Sequence, residues 1–484
     1  MNRSHALLSV LALGLALVCS ALAVPAADSM AEGIAAFNRG DFPAAVEHFS
    51  AAAKASPENA SVLSWLGSAQ LQAKQYEDAA ATLTQAVALD PKLPEAQNNL
   101  GMAYEALGKT KEALEHYQEA VYQQPHYAAP HYNLGNIYLA SGNLDAAIGE
   151  LAVAVELDPK NADAQNNLGV AYERKGQLAE AIACYREAVA LKPANQSFRL
   201  NLGLALRAAG RNDEAMQQLS LLAAAGTKEA AVYLNIGLIR YERGDYKGAA
   251  EAFRRAAALS PESAAAHYNL GLCARQLGLL PEAKQAFERA VELSPTSVNA
   301  RLNLGALELD DGNPAAAVQQ FAAALQADPD SYPAAFNLGL AYVRLGNDED
   351  AVRVWSALAA RKPDDAAVRE GLASAYFRLR RQDDAKREYL ALLKLRPKDL
   401  AAYNNLGIIC EEFGQLEEAV AAYQAALAID PAYARAHNNL GVAYERQGKI
   451  ELAIAEYRAA LQADPKLEDA RRNLERLAVP APSE

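Results

Sequence analysis

Ten asparagines recur at one fixed place in the chain. Asn99, Asn133, Asn167, Asn201, Asn235, Asn269, Asn303 and Asn337 follow one another without a gap, and Asn405 and Asn439 come later. A primary carboxamide offers both a donor and an acceptor, the complement of one peptide unit. A row of them can therefore hold an extended backbone whatever its side chains. The competing reading is structural, since a carboxamide at a fixed helical position can also serve packing or be solvated. The neighbours make this stretch look like a groove. Leu200, Leu234, Leu302 and Phe336 immediately precede the asparagines, and Leu204, Leu238, Leu272 and Leu340 follow them by three residues. The second group suits packing against an adjacent element equally well. Arg174, Arg207, Arg275, Arg344 and Arg378 lie further along and are placed to engage acidic groups of a ligand. Their plainer role is as solvated charges at helix ends.

Catalytic chemistry has little to work with. Of seven histidines, His131, His267 and His437 share one recurring position and His48 and His116 another, so their placement follows a structural phase. The stretch from His126 to Tyr132 offers two histidines for a transition metal, but no convergent third ligand. No triad, paired acids or phosphate-cradling glycine loop is recognisable. Neither enzyme activity nor a cofactor or metal is expected. Beyond Cys19, the cysteines are Cys184, Cys273 and Cys410, odd in number and more than eighty residues apart. That spacing reads as small buried side chains rather than a disulfide framework.

The elements that position these residues follow from a repeat. QNNLGVAYERKG, from Gln165 to Gly176, returns as HNNLGVAYERQG from His437 to Gly448, 272 residues or eight times 34 later. At that period Gly recurs at 33, 67, 101, 135, 169, 203, 237, 271, 305, 339, 407 and 441, with Ala373 the one substitute. An alanine marks every copy, as at Ala113, Ala181 and Ala453. Four residues on stands a large apolar or aromatic residue, such as Tyr117, Tyr185 or Tyr457, and most copies close with proline, as at Pro125 and Pro193. Leu100, Ala103, Tyr104 and Leu107 mark one face of a first helix that Gly108 ends. Ala113, Leu114, Tyr117, Ala120 and Val121 form the stripe of a second helix, stopped before Pro125. The small residues predict close helix approach, with the aromatic filling the space between.

On these residues the chain resembles the tetratricopeptide repeat family. The resemblance implies an all-α, right-handed superhelical solenoid of antiparallel helix pairs. First helices would line a concave channel and second helices a convex wall, each unit resting mainly on its neighbours. Thirteen repeats are expected within 24–467, starting at 26, 60, 94, 128, 162, 196, 230, 264, 298, 332, 366, 400 and 434. A capping helix is expected over 468–477 and a tail over 478–484. Family members bind other polypeptides. The repeat domain of protein O-linked N-acetylglucosamine transferases carries a similar asparagine ladder and uses it to bind peptide backbone. Only that binding half is carried over, and no glycosyl transfer is expected. The lysine, asparagine and arginine set of a carboxylate clamp is not assembled, which disfavours a heat-shock chaperone tail as ligand. Two copies depart from the pattern and are expected to be soft joints. Residues 366–399 have Gly371, Ala373 and Arg380 in place of Asn, Gly and Gly, and residues 196–229 lose the closing proline to Thr227.

Composition narrows the partner. With 484 residues and a formal net charge of -13, the chain lacks the clustered basic surface that a nucleic-acid partner requires. Protein or peptide segments are the expected ligands. The expected function is a non-enzymatic scaffold binding extended polypeptide in the channel during assembly of an envelope complex. The alternative is a structural block of an oligomeric or outer-membrane-associated complex that uses its convex and terminal surfaces.

The first residues read as an address. Arg3, the apolar run from Ala6 to Val18, and Ala21-Leu22-Ala23 form the three parts of a cleavable export signal over 1–23. The apolar run is too short to span a bilayer, so no integral membrane span is expected and the destination is the periplasm. Cys19 invites a lipid-anchored reading, but Val18 stands where a small residue is wanted. Mass spectrometry of protein from its own host should therefore find an N-terminus near Val24 and no lipid on Cys19. A diacylated Cys19 would contradict this reading.

Overall fold

The computed structural model describes residues 26–478, which are helical apart from short turns. The expected export signal and cleavage site lie outside the described residues. No described helix is long and apolar enough to cross a membrane.

One repeat shows why the sequence folds as it does. The first helix, Ala162–Arg174, starts where the Asn161 side chain accepts from the Ala164 N–H at 3.0 Å. It buries Ala164, Leu168, Gly169 and Ala171, one face at helical spacing. Gly176, at φ 82°, turns the chain in the left-handed region. The second helix, Leu178–Leu191, buries Ala181, Ile182, Tyr185 and Ala188 against the first. The pair is tight because Gly169 has no side chain: a Cβ there would meet Tyr185 Cε1 at 2.7 Å. The same contact joins Gly33 to Phe49, Gly101 to Tyr117, Gly271 to Phe287 and Gly441 to Tyr457. Each aromatic fills the volume its glycine leaves and is fully buried.

The described helices form two compact units, divided after Lys228. The described part of the first holds six helix pairs, beginning with Ala26–Asn38 and ending with Asn212–Ala224. The second holds seven pairs from Ala230–Glu242 to Ile450–Ala463, followed by the single helix Glu468–Ala478. Within each unit a helix packs on its pair partner and on the next pair, and successive first helices also touch. This nearest-neighbour pattern is that of a solenoid.

The division between the units falls after Lys228, in the copy that ends with Thr227 rather than proline. The copy at 366–399 has a packed core despite its substitutions. Trp355 lies between Gly339, where a Cβ would meet the indole at 2.2 Å, and Gly371, where one would meet it at 2.9 Å. Gly371 thus makes room for a larger aromatic. Trp355, Leu372, Ala373, Tyr376 and Tyr389 belong to one continuous buried cluster.

Lys74 and Arg380 occupy the turn position that glycine holds elsewhere, at φ 61° and 59°. A side chain in that region costs about 1 kcal/mol or more. Lys74→Gly should therefore raise the thermal melting temperature, by an amount corresponding to roughly 0.5–1 kcal/mol after the added freedom of the unfolded chain. An unchanged or lower melting temperature would show that the turn is unstrained.

Candidate functional site

The asparagine column lies on the first helices, each member half-buried except Asn235, which is buried. In the first unit the carboxamides bond from repeat to repeat. Asn99 Nδ2 donates to Ser68 Oγ at 2.6 Å, Asn133 to Asn98 Oδ1 at 3.0 Å, Asn167 to Asn136 Oδ1 at 2.9 Å and Asn201 to Asn166 Oδ1 at 2.9 Å. The same bond reappears at the far end of the second unit, from Asn439 to Asn404 at 2.9 Å and from Asn473 to Asn438 at 3.1 Å. The acceptor is always 31 or 35 residues earlier, on the neighbouring first helix, and it is an Asn or Ser side chain in every case. Each amide keeps a second N–H, so these bonds use the column only in part.

Further into the second unit the pattern changes. Asn269 and Asn303 donate to carbonyls of their own helices, Ala265 O and Asn299 O, both at 2.8 Å. Asn235 likewise donates to Ala231 O at 2.7 Å. The cause is local. For Asn269 the two earlier positions are Leu234 and Leu238, which cannot accept. For Asn303 they are Tyr268, whose phenol it reaches, and Leu272. Asn337 is preceded by Leu302 and Ala306, and Asn405 reaches the Tyr389 phenol.

The apolar groove residues sit beside this column. Leu234 and Leu238 rest on the Phe253 cluster, Tyr268 and Leu272 on the Phe287 cluster, and Leu302 on the Phe321 cluster. Phe336 stacks on Tyr332 at 5.7 Å and its carbonyl accepts from Trp355 Nε1 at 3.1 Å. All remain half-buried, and Leu340 is 37% exposed. One side of each is packed and the other is open. Leu200 and Leu204 are half-buried in the first unit.

The arginines divide. Arg174 Nη1 donates to Leu139 O at 3.1 Å, capping the preceding first helix, and Arg378 forms a paired bond with Asp348 at 2.6–3.0 Å. Arg207 is half-buried, and Arg275 and Arg344 are exposed. Arg275 lies near the Tyr268 phenol.

Two recurring contacts escaped the sequence reading. Where the second-helix aromatic is Tyr117, Tyr185, Tyr423 or Tyr457, its hydroxyl donates to Glu105, Glu173, Glu411 or Glu445, twelve residues earlier, at 2.6–3.0 Å. Burial first, helped by that carboxylate, pushes all four phenols well above the usual tyrosine value. The signal was in the sequence, because no copy with Phe, Leu or Trp there has an acid twelve residues before it. The second contact explains the histidines. His131 Nδ1 lies 2.6 Å from Glu150 Oε2 and its Nε2 3.0 Å from Pro125 O, and His437 sits in the same way between Glu456 and Pro431. Arg199, Arg301 and Arg369 make the same bridge to Pro193 O, Pro295 O and Pro363 O. His131 is thus a brace between repeats, and His126 is not brought with it to a third metal-ligating side chain.

The amide geometry separates two kinds of asparagine. Asn166→Ala strips the Asn201 amide of its inter-repeat acceptor and should cost about 1 kcal/mol in thermal denaturation. Asn269→Ala loses only a bond within its own helix, which alanine's helix propensity offsets, and should change stability by less than about 0.5 kcal/mol. Equal losses would mean the inter-repeat bonds carry no stability.

Known protein families match the chain. Tetratricopeptide repeat models match residues 30–94 and 281–333, 308–370, 409–448 and 434–467. A model for the C-terminal domain of cilia and flagella-associated protein 70 matches residues 93–296. Among solved structures, MamA protein is 28% identical over 35% of this chain and 92% of its own, at a TM-score of 0.31. A thermophilic tetratricopeptide repeat protein of Thermus thermophilus is 26% identical over 37% and 98%, at 0.32. The Cut9–Hcn1 hetero-tetramer of the APC/C is 16% identical over 94% and 96%, at 0.34. With glycine-locked helix pairs returning every 34 residues and family matches near both ends and through the middle, the chain belongs to the tetratricopeptide repeat family.

Proposed function

We propose that the protein is an exported, non-enzymatic scaffold of a bacterial envelope that binds extended polypeptide segments along its first-helix face. The observation that carries this reading is the column Leu234, Leu238, Tyr268, Leu272, Leu302, Phe336 and Leu340 in the second unit, half-packed and half-open beside Asn269, Asn303 and Asn337. Apolar side chains of a bound segment fit that column, and the amide capacity left on the asparagines suits its backbone. In the first unit the amides are already linked to each other, so backbone binding there falls to their second N–H groups.

A photo-reactive side chain tests this even while the partner is unidentified. Placed at Leu340 on the first-helix face, it should give a discrete cross-linked adduct in living cells. Placed at Tyr122, 82% exposed on the second helix Thr110–Gln123, it should give none. An adduct at Tyr122 and none at Leu340 would favour the alternative, a building block that associates through its convex wall.

A further inference from the structure

The first unit holds a cavity of about 460 Å³ on its first-helix face, within the range of small-ligand sites. Its walls include Phe37, Trp65 and Tyr127 together with Ser68, Asn99 and Glu95. Trp65 occupies the place that asparagine holds in most other copies, so here the amide column gives way to an indole. That indole is held on two sides: it stacks on Phe49 at 5.6 Å and meets Phe37 edge-on at 5.7 Å. The polar wall is also fixed. Asn99 donates to Ser68 Oγ, which in turn donates to Ser64 O at 2.8 Å. Glu95 is the one charged residue of the lining. It is exposed and makes no hydrogen bond or ion pair among the described residues. Its field reaches the cavity, since burial and then Glu95 raise the Tyr127 phenol above its usual value.

Ring faces are electron-rich, and a carboxylate beside them with no balancing cation selects for positive charge. An acidic or phosphorylated segment would meet repulsion at Glu95. A neutral apolar side chain would leave that carboxylate without a partner. We infer that this cavity binds the cationic side chain of an arginine or lysine presented by a polypeptide lying along the first-helix face. The inference rests on the peptide-binding reading above and specifies the chemistry of the ligand at one end of the face.

Trp65 supplies its own reporter. The chain has two tryptophans, and Trp355→Phe removes the other with a residue that four other copies carry at that position, namely Phe49, Phe253, Phe287 and Phe321. In that background, three capped nonapeptides of alternating serine and leucine, identical except for a central arginine, citrulline or glutamate, are titrated against Trp65 fluorescence. The arginine peptide should bind at least about tenfold more tightly than the citrulline peptide, and the glutamate peptide more weakly than either. Glu95→Gln should abolish the arginine preference while leaving the circular dichroism melt unchanged. Equal affinity for arginine and citrulline, a preference that survives Glu95→Gln, or no binding of the arginine peptide would each overturn the inference. The cross-link at position 340 lies in the other unit and decides the broader reading independently, so the two failures are distinguishable.

Discussion

The contact on which the rest of the structure depends is that between a glycine in the first helix of each pair, replaced only by Ala373, and a large side chain in the second. A Cβ at Gly101 would lie 2.6 Å from Tyr117, and the corresponding contact at Gly407 would be 2.3 Å from Tyr423. Overpacking of this kind costs roughly 1–3 kcal/mol, so each helix pair has one permitted separation. Because the contact returns every 34 residues, every first helix presents the same face in the same phase. The asparagine two places before that glycine therefore lies beside the core, half-buried at every copy that has one except the buried Asn235. Where the second-helix residue is Trp355 the geometry needs glycine on both sides, and Gly339 and Gly371 supply it.

Once that face is set, its chemistry depends on a few neighbouring positions. A carboxamide at the column position bonds back to the previous repeat where a neighbouring Asn or Ser side chain is in reach, as at Asn133 and Asn167, and elsewhere turns to its own helix or to a tyrosine, as Asn405 does although Ser374 lies 31 residues earlier. The first unit thus carries a self-linked polar column, and residues 230–343 of the second carry a half-open apolar one. The face is regular in shape and uneven in chemistry.

Much of the fold was legible because the constraint is local. The 34-residue recurrence, the glycine and its aromatic partner, the turn glycines and the closing prolines each act within one helix pair, and the all-α solenoid follows from them. The roles of the amides were not legible, since a donor with two candidate acceptors is decided by distances between helices. The histidine braces were foreshadowed by recurrence alone: the phase of His131 and His437 was visible, but their partners Glu150 and Glu456 lie 19 residues on and needed the folded pair. Gly371 misled because it was read as a missing asparagine, when it makes room for an indole from the preceding repeat. The cavity at Trp65 had one signal in the sequence, the single copy with tryptophan in the asparagine's place, but its walls come from three successive first helices and needed the folded array.

Binding of polypeptide by the first-helix face can be read from leucine methyl NMR. Leu234, Leu238, Leu272, Leu302 and Leu340 lie on that face, whereas Leu89, Leu191, Leu390 and Leu452 are exposed on second helices at 47%, 37%, 45% and 47%. On addition of the polypeptide recovered with the protein from its host, the first group should shift and the second should remain in place. Shifts confined to Leu89, Leu191, Leu390 and Leu452 would contradict binding by the first-helix face and place the interface on the second helices.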